Sequence, residues 1–224
     1  MTTPNEEAAF GLYLILTDPV AGYERCTEAA VEARLRYVQL RMKKGPPDRI
    51  LAVARRLRAI TAGTATRFIL NDDPDLAAAA GADGVHLGQE DEPLLQARRR
   101  HPELLIWGLS THNEAQAAEA VALAPTYIGV GPVFSTPTKA RPDPVLGLER
   151  MSRIIRSTPL PAVAIGGIQE SNLAEVLRAG AVNVAVVRAV CGHPDPAAAI
   201  RRLLEIWRAE VQPPPFRAPG SDPA

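Results

Sequence analysis

The chain has 224 residues, of which 46% are apolar, with 25 Lys plus Arg balanced by 25 Asp plus Glu. That length suits one large α/β domain better than two small ones, and the apolar content can fill a sizeable core. The balanced charge gives no global reason to expect nucleic acid or an acidic membrane as partner, so any anionic ligand has to be held locally.

Short apolar runs alternate with longer amphipathic ones along the whole chain. Strands are predicted at LYLIL (12–16), YVQLR (37–41), RFIL (67–70), GVHL (84–87), LLIWGL (104–109), YIGV (127–130), AVAIG (162–166) and NVAVV (183–187). Between them lie Ala-, Arg- and Glu-rich segments such as 48–60 and 113–124, with apolar residues at helical spacing. Asn113 and Ser171 stand where N-caps belong, and Gly81 and Gly180 where helices stop. Eight strands and eight helices in strict alternation imply parallel strands with right-handed crossovers. The fold expected is a single-domain (β/α)8 TIM barrel over 11–211, behind an N-terminal extension (1–10) and ahead of a Pro-rich tail (212–224) with little to bury.

The opening MTTPNEEAAF is acidic and lacks an apolar stretch, so no secretory signal is expected. No run reaches the roughly 18 apolar residues of a membrane span. Cys26 and Cys191 lie far apart without metal-ligand spacing and read as reduced thiols. A cytoplasmic protein is expected. Its oligomeric state is left open, and a homo-oligomer is compatible with the sequence.

Barrel function gathers on the loops after the strands. After predicted strand 2, Gln39, Arg41 and Lys43 alternate toward the barrel mouth, while Val38, Leu40 and Met42 face the helices. After strand 3 comes NDDPD and after strand 4 HLGQED, which bring Asp72 and Asp91 to one rim. These carboxylates suit either salt bridges to Arg41 and Lys43 or a magnesium ion. Asp73, Asp75, Glu90 and Glu92 compete for the same role, although Asp75 suits the start of a helix. Ser110 ends strand 5, whereas Thr111 or Asn113 caps the next helix. His86 and His112 have no evident nucleophile or orienting carboxylate in a recognisable motif.

Strand 6 leads into GPVFSTPTK, with Thr136 and Thr138 as phosphate donors and Lys139 reaching toward the carboxylates. After strand 7, Gly166-Gly167 lets backbone N–H groups approach an anion closely, and strand 8 ends in Val187-Arg188. Two phosphorylated groups therefore fit this rim, one beside a metal. Lysine, arginine and a metal together suit a departing diphosphate. The chemistry inferred is a transfer from a diphosphate-activated fragment to a monophosphorylated one.

QLRMK, ILNDDPDLA, GADGVHLGQED, LSTHN, YIGVGPVFSTPTK, AIGGI and VAVV, in that order from Leu12 to about Trp207, resemble the thiamine phosphate synthase family. The resemblance implies a (β/α)8 barrel that condenses hydroxymethylpyrimidine diphosphate with a thiazole phosphate or its carboxylated form and releases diphosphate. It implies that Gln39, Arg41, Lys43, Asn71, Ser110 and Lys139 contact the pyrimidine diphosphate, with Lys139, Arg41, Lys43 and Ser110 the catalytic set. Asp72 and Asp91 would hold Mg2+, and Thr136, Pro137, Thr138, Gly167, Val187 and Arg188 would line the thiazole phosphate site. The implied mechanism is dissociative and needs no general base. The chain departs from the family pattern at Met42, where an acid is usual, and at Arg188, where serine is usual. The related thiazole tautomerase shares the barrel, but GPVF and NDD here fit the synthase.

Overall fold

The structure, a computed structural model, describes residues 9–136 and 143–211. Eight strands run in sequence order around a closed parallel barrel: β1 (Leu12–Leu16), β2 (Tyr37–Leu40), β3 (Arg67–Asn71), β4 (Gly84–Leu87), β5 (Ile106–Thr111), β6 (Tyr127–Val130), β7 (Ala162–Ile165) and β8 (Asn183–Val186). Closure comes from β1 pairing with β8, Leu12 against Val184 and Leu14 against Val186. The helices are α1 (Tyr23–Glu32), α2 (Pro47–Thr61), α3 (Pro74–Ala80), α4 (Leu94–Arg100), α5 (Glu114–Leu123), α6 (Gly147–Ser157), α7 (Leu173–Arg178), α8 (Arg188–Cys191) and α9 (Pro196–Val211).

Alternation along each strand sorts side chains to two interiors. Leu12, Leu14, Leu16, Val38, Leu40, Phe68, Leu70, Val85 and Leu87 point outward and are buried under the helices. Tyr13, Ile15, Tyr37, Ile69, Tyr127, Val163 and Ala185 fill the barrel itself. Tyr13, Tyr37 and Tyr127 pack with ring centroids 5.4 to 5.7 Å apart, and Phe10 meets Tyr37 edge-on at 4.8 Å. At the N-terminal end the buried Asn183 Oδ1 accepts the N–H groups of Phe10 (2.7 Å) and Gly11 (3.2 Å), tying the last strand to the first.

The expected barrel is present; four strand ends shift by one residue, β2 ending at Leu40, β3 at Asn71, β7 at Ile165 and β8 at Val186, and three larger local corrections apply. β5 starts at Ile106 rather than at 104 and runs on through Ser110 and Thr111. Leu104 belongs to the preceding turn, where its carbonyl accepts the Trp107 indole N–H at 2.7 Å, and pairing with Gly129 and Val130 carries the far end. Among the described residues there are nine helices rather than eight, because the apolar run after β8 turns into the four-residue α8. Asn113 caps α5 by accepting Gln116 N–H at 2.9 Å. Asn172, not Ser171, stands at the N-cap of α7, and its side chain instead accepts Gln169 N–H at 2.8 Å. Gly81 ends α3 in the left-handed region, as expected. The tail from 212 onward lies outside the described residues.

Cys26 and Cys191 are free and buried, and burial pushes their thiols up to about 11 and about 12. Among the described residues no helix is long and apolar enough to cross a membrane.

Gly84 fits because a Cβ there would lie 2.1 Å from the Ile106 carbonyl oxygen and 2.5 Å from its Cβ. Backbone this close cannot yield. Gly84→Ala is therefore expected to lower unfolding stability by about 3 kcal/mol, an overpacking cost, read as a shift in the urea midpoint with an unchanged slope. An unshifted midpoint would show that β4 and β5 tolerate spreading at this point.

Candidate active site

The backbone leaving β2 is pinned to β1 by Arg41 N–H on Leu16 O (2.9 Å) and by Thr17 Oγ1 on Arg41 O (3.2 Å). The half-buried Arg41 side chain is thereby aimed at the barrel mouth. Burial lowers its pKa, opposed by the negative charges of Asp72 and Asp18. Lys43, one alternation further out, makes an ion pair with Asp72.

Asp72 adopts φ +69, a left-handed backbone that Asp tolerates better than most residues, and its N–H donates to His86 O at 2.8 Å. The turn between β3 and α3 thus hangs on β4. Asp91 accepts the Gly88 N–H at 2.6 Å, folding the β4 loop back toward Asp72. Burial raises the Asp91 pKa, and the Asp72 charge raises it further against the pull of Gly88 N–H and Lys43. Two carboxylates pressed together beside one lysine form a donor set suited to magnesium, which takes one or two protein carboxylates and completes its shell with water and substrate oxygens. Among the described residues no third His, Cys, Asp or Glu joins them as a cluster. Three of the four competing acids have other work: Asp73 caps α3 by accepting Leu76 N–H at 2.9 Å, while Asp75 and Glu92 are bound by Arg100. Asn71 ends β3 on this same side, half-buried.

Beside this rim lies a cavity of about 480 Å³, lined by Arg41, Thr136, Gly167, Val187 and Arg188 together with Ile15, His112 and Gln169. Arg41 is the residue common to the cavity and the carboxylate rim. Gly166 (φ +105) and Gly167 (φ +66) form part of the wall, and a Cβ on either would come within 2.7 Å of Pro132 or Phe134. The glycine pair therefore has a role beyond the close approach to an anion expected from the sequence. It lets the β6 loop press onto the β7 loop, joined by Val133 N–H on Ile165 O (2.9 Å) and Phe134 N–H on Gly166 O (3.0 Å). His112 contacts Gly131 O through Nδ1 at 2.6 Å and sets Nε2 3.5 Å from Asp143, so it does have a carboxylate partner, contributed from beyond the β6 loop. Pro137, Thr138 and Lys139 lie outside the described residues.

Gln39 and Ser110 sit elsewhere than on the cavity wall. Gln39 is 1% exposed, deep in the barrel, with Nε2 donating to the Tyr13 hydroxyl at 2.7 Å. Tyr13 and Tyr127 hydroxyls are 2.8 Å apart, Tyr127 lies 3.1 Å from His86 Nδ1, and His86 Nε2 lies 2.9 Å from the half-buried Ser110 Oγ. Burial raises the pKa values of Tyr13 and Tyr127 well above the usual phenol range, so both stay neutral. The sequence reading missed this column. Its one available signal was that Tyr13, Gln39, His86, Ser110 and Tyr127 all fall on inward-facing strand positions.

Polar residues at the C-terminal rim of a (β/α)8 barrel are where such folds do their chemistry. The charges on this rim define the class, a barrel enzyme acting on anionic small molecules. A family model described as thiamine monophosphate synthase matches residues 12–190, and the chain belongs to that family. It is 47% identical over 198 residues to a thiamine-phosphate synthase of Gloeobacter violaceus, spanning 88% of this chain and 58% of that protein. With the thiamine-phosphate synthase of Anaeromyxobacter dehalogenans the identity is 42% over 202 residues, 89% of this chain and 88% of the other. The solved thiamine phosphate pyrophosphorylase of Pyrococcus furiosus superposes with a TM-score of 0.82 at 34% identity, covering 93% of this chain and 98% of that one. The protein is thus a transferase of thiamine biosynthesis.

Asp72→Asn keeps a side chain suited to the left-handed backbone and removes one negative charge. Loss of that neighbour favours the Asp91 carboxylate, so the Asp91 pKa is expected to fall. A carboxyl ¹³C NMR titration in the presence of chelator reads it. An unmoved Asp91 would mean that burial alone sets its raised value.

Proposed function

We propose that this enzyme joins the methylene carbon of hydroxymethylpyrimidine diphosphate to the ring nitrogen of a thiazole phosphate, releasing diphosphate. The observation that carries the reading is Arg41, shared between a carboxylate-and-lysine rim and a glycine-walled cavity of about 480 Å³. A diphosphate and a monophosphate can lie on its two sides. The C–O bond to the methylene breaks first, and its electron pair leaves with the diphosphate. Arg41, Lys43 and Lys139 neutralise that departing charge, and Ser110 and Asn71 orient the fragment. Gln39, with its Nε2 on Tyr13, forms the floor beneath the pyrimidine. Asp72 and Asp91 hold Mg2+, which supplies Lewis-acid stabilisation of the diphosphate oxygens.

The thiazole nitrogen lone pair then forms the C–N bond, giving a thiazolium with no proton to remove. Thr136, Pro137, Thr138, Gly167, Val187 and Arg188 hold the thiazole phosphate. Arg188, in place of the family's usual serine, offers a bidentate fork to that phosphate. The engagement of both His86 nitrogens within the protein agrees with chemistry that needs no general base. The enzyme works in the cytoplasm, a reading supported by two free thiols and by the small-molecule substrates of its relatives.

The test is incubation with both substrates and magnesium, expected to yield thiamine phosphate and diphosphate in equal amounts and neither after chelation. Binding of both substrates without turnover would leave only a binding protein. Lys139→Ala is expected to slow turnover by about 100-fold or more, the scale of losing one strong electrostatic donor; a rate within about threefold of the parent would remove Lys139 from the catalytic set. Arg188→Ser is expected to raise KM for the thiazole phosphate and leave that for the pyrimidine diphosphate unchanged. Equal effects on both would argue against separate subsites.

A further inference from the structure

We propose that His86 is a positioning residue: a one-way hydrogen-bond chain starting at Gln39 holds it as the neutral Nε2–H tautomer, so that it donates to Ser110 and turns the Ser110 hydroxyl proton toward the substrate. The donor order follows from counting protons. Gln39 Nε2 can only donate, so the Tyr13 oxygen accepts at 2.7 Å. Among the described residues the Tyr13 hydroxyl has one other partner, the Tyr127 oxygen at 2.8 Å, to which it must give its own proton. Tyr127 then donates to His86 Nδ1 at 3.1 Å. With Nδ1 accepting, the proton of a neutral ring sits on Nε2 and donates to Ser110 Oγ at 2.9 Å. Ser110 already accepts from inside, and its own O–H is left to donate outward, the sense required by an anionic diphosphate.

With the Gln39 amide set Nε2-first toward Tyr13, the opposite order fails at the inner end. It would bring two donors, Gln39 and Tyr127, onto the Tyr13 oxygen and leave the Tyr13 proton without an acceptor at a site 1% exposed. A buried unsatisfied donor costs on the order of 1–3 kcal/mol, enough to fix one order over the other. The packing is built around this junction. Gly108 lies beside it, where a Cβ would come within 2.3 Å of His86 Nδ1 and 2.4 Å of the Tyr127 hydroxyl oxygen. The His86 ring stacks on Tyr127 at 22° with centroids 5.5 Å apart, which fixes the plane in which Nε2 points.

The identity of the substrate rests on the function proposed above, but the tautomer does not, and it is measured first. Long-range ¹H–¹⁵N NMR of protein labelled at histidine is expected to show His86 protonated on Nε2 alone. A ring protonated on Nδ1, or on both nitrogens at neutral pH, would overturn the proposal. Gln39→Met removes the donor that sets the order and is expected to give mixed tautomers; retention of a single Nε2–H form would show that Gln39 does not control it. Tyr127 is 1% exposed and outside the cavity lining, so Tyr127→Phe reaches the chemistry through the groups it bonds, His86 on one side and Tyr13 with Gln39 behind it on the other, and the His86 tautomer read in the same variant tells the two routes apart. Tyr127→Phe is expected to lower kcat roughly tenfold with KM for the thiazole phosphate unchanged, the scale of one oriented hydrogen bond to a charged group, and a kcat within about twofold would overturn the catalytic half. An inactive parent protein would overturn the function and leave the tautomer result standing.

Discussion

Neither face of a closed parallel sheet meets water, and the rest of this structure follows from that constraint. Once β1 pairs with β8, every inward side chain is sealed in a space that must be filled and whose polar atoms must be satisfied. The outer face meets the demand with Leu, Val and Phe. The inner face carries three tyrosines, an amide and an imidazole. The polar atoms of Gln39, Tyr13, Tyr127 and His86 find one another across the barrel, so the column from Gln39 to Ser110 is first a solution to desolvation. That its upper end reaches the rim makes the same column available to chemistry.

At the rim the fold does something unfavourable. It brings Asp72 and Asp91 together, buries the second in part, and holds the first in a left-handed backbone. Lys43 offsets little of this, because its side chain is half exposed and a solvated ion pair contributes at most ~1 kcal/mol. Carboxylates crowded at such a cost occur where strain and charge serve a site rather than stability. The arrangement has a use when a dication and a diphosphate bring in charge of both signs. Arg41, also partly desolvated, connects this region to the cavity, so the two halves of the site share one electrostatic field.

Local pattern made much of the protein legible. The bounds of β1, β4 and β6 follow from apolar runs ended by turn residues, and Asn113 and Gly81 act as their chemistry requires. Alternation along 39–43 correctly separated Arg41 and Lys43 from Leu40 and Met42. β5 was misjudged because an apolar run says nothing about how far its neighbour continues. The second task of Gly166 and Gly167 was hidden because it depends on Pro132 and Phe134, brought against them by the β6 loop. Likewise, His112 lacked a carboxylate in any motif and finds Asp143 across a loop.

By itself the sequence determined the barrel, the rim on which its charged residues stand and, through ordered motifs, the family. Each of these depends on residues close together in the chain, where alternation and turn chemistry act directly. Only the tertiary structure decided that Tyr13 and Tyr127, 114 residues apart, share a hydrogen bond, and that Gln39 lies below the mouth rather than in it. Those outcomes depend on barrel closure and on the register of every intervening strand. No local pattern carries that information.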